Sequence, residues 1–157
     1  SDADFTEQHD LASSILGKLS ELNIAVNRIR LMKQQLKNIY KIIPEQTPLA
    51  DNLVAKLTTI EALLVDTKRE TPRDVLRHPA GLDDTLENLL SVVTISDSKP
   101  PAQTREVADD VFNKVDVLLT QLDVLVNGEI TDFNSVIANA SPPAISGSSI
   151  GALKTGW

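Results

Sequence analysis

The side chains able to do chemistry in this chain are few and far apart. Its histidines are His9 and His78. A helical metal site needs imidazoles at i and i+4, or a Glu-x-x-His pair, and neither spacing occurs. Both read as ordinary surface or loop histidines without an acid–base role. Cysteine is absent, which removes a thiolate nucleophile, a disulfide framework and a Cys-based zinc site. Carboxylates are paired at Asp83-Asp84 and Asp109-Asp110. Glycoside hydrolysis needs two carboxyls facing each other across about 5–10 Å. Adjacent residues on a helix point about 100° apart and do not converge, so these pairs read as solvated faces. Gly147-Ser148-Ser149-Ile150-Gly151 matches G-x-S-x-G, with Ser149 at the nucleophile position. That elbow works where a strand turns sharply into a helix and a histidine follows. Here Pro142-Pro143 precede and no histidine follows, so the match is an accident of Gly/Ser composition. The expectation is of no catalytic, cofactor-binding or metal-binding residue, and of a protein that is not an enzyme.

Binding chemistry is similarly constrained. Fifteen Lys and Arg against twenty-two Asp and Glu give a net charge of −7. That argues against nucleic acid, whose phosphates call for a basic footprint. The aromatic residues are Phe5, Tyr40, Phe112, Phe133 and Trp157, too few and too scattered for a sugar-stacking platform. Tyr40 is expected on a core seam with its hydroxyl reaching a helix end. No phosphate-cradling Gly-rich loop or calcium-loop pattern is present. Charge is unevenly spread: Arg28, Arg30, Lys33, Lys37 and Lys41 form a basic stretch. Glu106, Asp109, Asp110, Asp116, Asp123, Glu129 and Asp132 stand against Lys114 alone. The favoured reading is complementary charge between neighbouring helices, worth about 0–1 kcal/mol per exposed pair. A partner-binding surface is the alternative.

The elements that must position these residues are helices. Ile15, Leu19, Leu22, Val26, Ile29, Leu36, Tyr40 and Ile43 recur at steps of three and four, predicting one helix from about Asp4 to Ile43. Lys33 breaks the register, and Met32 can fill the seam. Gly17 suggests a close backbone crossing or slight bend, and Pro44 stops the helix. Thr47 as N-cap with Pro48 starts a second helix to about Asp66 or Lys68, buried through Leu49, Leu53, Leu57, Ile60 and Leu64. An irregular, polar connection runs to Gly81. A third helix, about Leu82–Thr94, presents Leu82, Leu86, Leu89, Leu90 and Val93. A fourth opens at Pro100-Pro101, presents Val107, Val111, Val115, Leu118, Leu122 and Leu125, and is capped at Asn127-Gly128. A short fifth helix, about Thr131–Ala140, buries Phe133, Val136 and Ile137. With one apolar stripe per helix and no convincing strand, the chain reads as an all-α, antiparallel up-down bundle with one very long N-terminal helix. The bundle covers residues 1–145, followed by a Gly/Ser-rich tail over 146–157. Asp116 and Asp123 interrupt the most apolar stretch, so no membrane span is expected. The acidic start Ser1-Asp2-Ala3-Asp4 is not a signal peptide.

Several stretches, taken in order, resemble a known family. They are Phe5-x-x-Gln8-x-x-Leu11 continuing through Ala25-Val26-x-x-Ile29-Arg30; His78-Pro79-Ala80-Gly81-Leu82; Pro100-x-x-Gln103-x-Arg105-Glu106-Val107; Ile130-x-x-Phe133-Asn134; and Pro143-Ala144-Ile145. The set resembles the C-terminal helical module of bacterial sortilin-like proteins with BNR (Asp-box) repeats, often labelled glycosyl hydrolases. In that family a β-propeller precedes the helices and would hold any carbohydrate or peptide site. No Asp-box occurs in this sequence, and no ligand residue is transferred to it. The resemblance implies an exported (periplasmic, outer-membrane-associated or extracellular), non-catalytic accessory module whose partner is a β-propeller of the same parent or another protein. The alternatives are a fragment of a glycoside hydrolase whose site lies in the propeller, and a free-standing coiled-coil oligomerisation module.

Overall fold

The computed structural model describes residues 1–65, 81–96, 99–138 and 145, and every regular element among them is helical. Helix α1 spans Asp2–Ile42, about 60 Å at 1.5 Å per residue. Its buried ridge is Leu11, Ile15, Leu19, Leu22, Val26, Ile29, Met32, Leu36 and Ile39. Met32 takes the seam position that Lys33 interrupts and is fully buried. Past Leu36 the seam passes to Ile39, leaving Tyr40 and Ile43 half-buried. A 3.6-residue helix drifts against a strict heptad, so the last seam position moves by one residue. Gly17 is exposed, and a Cβ placed there would meet nothing within 4 Å; no close crossing occurs at it.

Ile43 leaves the helical region (φ −134°, ψ 79°) ahead of Pro44, as steric conflict with the proline ring demands. A 3-10 turn over Pro44–Gln46 then leads directly into α2, Thr47–Leu64. Thr47 is itself helical (φ −54°, ψ −44°), and its N–H bonds back to the Pro44 carbonyl, so it is not the N-cap expected from sequence. Helix α3 covers Leu82–Ile95 and α4 covers Ala102–Leu125. Two expected seam residues move outward: Leu49 is 51% exposed and Val107 is 42% exposed. Ala50 and Ala108, one position on, are fully buried in their place. A methyl group fills the seam at each helix entry.

The largest departure from the expected pattern is at Asn127-Gly128. Instead of a C-cap, a π turn runs over Val126–Ile130 and passes into α5, Thr131–Ile137. Leu125, Thr131 and Ala138 all keep right-handed helical angles, so the chain stays helical from Ala102 through Ile137. The wider turn inserts one extra residue, which re-aims the following face. Ile130, Phe133 and Ile137 are thereby buried, while Val136, expected inside, is exposed. The Thr131 hydroxyl donates to the Val126 carbonyl five residues back at 2.8 Å, satisfying an acceptor inside the turn.

The chain forms two compact units, Ser1–Asn23 with Ala62–Leu118, and Ile24–Glu61 with Leu119–Trp157. In the first, the end of α3 meets the start of α1, where the Gln8 amide donates to the Val93 and Ser96 carbonyls at 2.6 and 2.5 Å, while the first residue of α3, Leu82, lies beside Asp110, Val117 and Leu118 of α4. The two carbonyls are among the acceptors that the end of α3 would leave orphaned. Helix α4 runs in the same direction as α1 there, since Glu7–Arg105 (3.2 Å) and Lys18–Asp116 (2.7 Å) both join residues 98 apart. In the second unit, Tyr40 with Asp51 and Lys33 with Glu61 set α2 antiparallel to the end of α1. The expected tail over 146–157, and most of the connection before Gly81, lie outside the described residues.

Candidate functional site

Each residue singled out from sequence has an identifiable surrounding where the structure describes it. His9 is exposed on α1; His78 and Ser149 lie outside the described residues. Asp109 and Asp110 are exposed on α4, and Asp110 pairs with Lys114 at 2.9 Å. Asp83 and Asp84 sit in the first turn of α3, half-buried. One Asp83 carboxyl oxygen is buried without a hydrogen-bond partner. Burial pushes the Asp83 carboxyl above its ordinary range, against the opposing pull of nearby backbone N–H groups. Among the described residues no group of three or more His, Cys, Asp or Glu is placed to hold a metal ion.

The basic stretch divides its partners. Arg28 reaches Asp123 at 3.8 Å, the kind of pairing expected between α1 and α4. Arg30 and Lys33 instead turn to Glu61 on α2, at 3.4 and 3.6 Å. Glu61 is only 6% exposed, and one of its oxygens makes no hydrogen bond, so its contacts are charge contacts without alignment. Sequence periodicity does not flag Glu61, because it follows a seam residue, Ile60, on an otherwise ordinary stripe. Lys18 pairs with Asp116 and lies 5.8 Å from the Phe112 ring centroid; the Asp116 hydrogen bond holds its ammonium above the usual lysine value. Tyr40 donates its hydroxyl to Asp51, which pushes the phenol up to about 12.

Sequence reading also missed the role of Asn134. Its carboxamide oxygen accepts from the Ile145 N–H at 2.6 Å, and its amide donates to the Ile145 carbonyl at 3.1 Å. This two-point clasp holds Ile145 buried in the second unit. No periodic signal marks an asparagine for that task.

The concave surfaces are apolar. In the first unit a groove of about 530 Å³ opens among Leu63, Leu82, Val117 and Leu118, with the Asp110–Lys114 pair on its rim. Leu63 and Val117 are exposed. In the second unit, cavities of about 210 and 460 Å³ lie along α2 and the α4–α5 helix, and Glu129 lines both. A signal for these faces is present in sequence: Val117 and Val124, seven apart on α4, lie off its buried seam. No family model, curated protein or solved structure matches the chain. Among the described residues, no helix is long and apolar enough to cross a membrane.

Proposed function

We propose that this chain is a non-catalytic helical interaction module, by resemblance the helical part of an exported BNR-repeat propeller protein. The observation that carries the reading is the groove of the first unit. It exposes Leu63 and Val117, and its charged rim groups, Asp110 and Lys114, already neutralise each other. An apolar concavity left open to water is a surface for association. Catalysis would call for convergent titratable groups, and among the described residues the groove's lining holds that ion pair alone.

Two measurements test this. The first is turnover of a panel of glycosides and esters by the purified chain, with Asp83→Asn and Asp109→Asn variants as controls. No turnover is expected; turnover abolished by either substitution would replace the module with an enzyme. The second takes the protein encoded upstream in the same reading frame. If it carries Asp-box hairpins, its binding to this chain by calorimetry is expected to be lost in Val117→Asp. Unchanged binding by that variant would remove the groove from the interaction.

A further inference from the structure

We propose that the second unit carries a groove for a basic amphipathic helix, gripped at two points seven residues apart on either side of the Lys56–Glu129 ion pair. This rests on the reading of the chain as an interaction module and names the partner class for a surface separate from the groove of the first unit.

The two cavities of this unit adjoin at Glu129, which lines both, and a single occupant spanning them would treat them as one groove. Residues 49, 53, 56 and 60 of α2 form one helical face, and residues 121, 125, 129, 133 and 136 face them from the α4–α5 helix. The smaller compartment is lined by Leu49, Leu53, Phe133 and Val136, the larger by Ile60, Val124 and Leu125. The Lys56 ammonium crosses between them to both Glu129 oxygens, at 2.5 and 2.7 Å. From Leu53 to Ile60 is seven residues, about 10.5 Å along a helix. A docking helix therefore places apolar anchors at i and i+7, with a small residue between them to clear the ion pair.

Leu53, Phe133, Ile60 and Leu125 form a buried floor, and the exposed apolar lining is Leu49 and Val136, each about half exposed, and Val124, 68% exposed. The π turn contributes directly, because it carries Glu129 and sets Phe133 inward while leaving Val136 on the groove. Charge selects the occupant. The lining holds two carboxylates, Glu129 and Asp132, against Lys56 alone. Asp132 is exposed and has no ion pair among the described residues. The chain as a whole is at −7. Lysine or arginine flanking the apolar anchors meets Asp132 and competes with Lys56 for Glu129, whereas an acidic helix is repelled.

The test titrates the isotope-labelled chain with two peptides of roughly 18 residues, long enough to populate a helix. Both carry leucines seven apart with alanine between; one is flanked by lysine, its twin by glutamate. The lysine peptide is expected to bind about tenfold or more tightly than its twin at low salt. Amide shifts should centre on Leu49, Leu53, Val124 and Val136. Val124→Glu and Asp132→Lys alter exposed side chains and should each weaken binding about tenfold, while Val92→Glu on α3 should leave it unchanged. Equal affinity for the twins overturns the charge selection, and so does absence of shifts at millimolar peptide. Shifts at Leu63 and Val117 would place the peptide in the other groove, overturning this inference while sparing the module reading. Self-association abolished by Val124→Glu would put a second copy in the groove and also overturn it.

Discussion

Single side chains report how far local rules reach. Gly17 lies in the interior of α1, exposed, with open space where a Cβ would stand. Glycine there costs backbone entropy and serves no contact, so Gly17→Ala is expected to stabilise the protein by about 1 kcal/mol. Thermal denaturation checks this, and a loss of stability would mean the site has a contact that open space does not supply. Asp83 behaves oppositely to a paired carboxylate. Its raised pKa means the folded protein holds the proton more tightly than the unfolded chain does. That contribution is fully present below the unfolded value near 3.9 and is lost as pH rises through the folded pKa. Asp83→Asn should therefore raise stability at neutral pH, by less than about 1 kcal/mol because some favourable charge at the α3 N-terminus goes with it. The gain should vanish as the pH falls to about 4, as a stability profile against pH would reveal.

At the scale of elements, the π turn and the Glu61 contacts are the decisive features. Removing Gly128 from the π turn would restore α-helical spacing and rotate α5 by about 100°. Phe133 and Ile137 would leave the core, at a cost of about 3 kcal/mol or more. A denaturant midpoint that does not fall would show that the extra residue has no such role. For Glu61 the sign depends on which partner is removed. Arg30→Ala with Lys33→Ala leaves a buried carboxylate alone, expected to cost about 3 kcal/mol. Glu61→Leu leaves two cations with long stems that can turn to water, and is expected to be neutral within about 1 kcal/mol or stabilising. Equal losses from the two changes would contradict this account.

For the whole molecule, the unit boundaries fall inside α1, α2 and α4, so each of these helices contributes residues to both units. Loss of helix in one unit propagates along a continuous hydrogen-bonded rod, and unfolding is expected to be a single transition. Ile15→Ala and Ile29→Ala, each removing a fully buried side chain, should cost about 2–5 kcal/mol and shift the same transition. Two separable transitions in calorimetry, each moved by one substitution alone, would show independent units. The grooves too are made by residues that no single helix brings together.

The amino-acid sequence determined the helices and most of their buried positions, least well on α3, where Leu86 and Val93 are buried and Leu82, Leu89 and Leu90 only half-buried. An apolar stripe at steps of three and four can be buried only one way, and Met32 beside Lys33 shows the rule working even where the register is broken. The absence of a cysteine, and of histidines at metal spacing, was equally plain there. Tertiary structure decided what adjacency along the chain cannot express. It chose Ala50 and Ala108 over Leu49 and Val107, turned Asn127-Gly128 from a stop into a π turn, and buried Glu61 between Arg30 and Lys33. It also joined Asn134 to Ile145. Each of these depends on which groups arrive opposite one another across the space between helices. Periodicity fixes the direction a side chain points and leaves open what it meets.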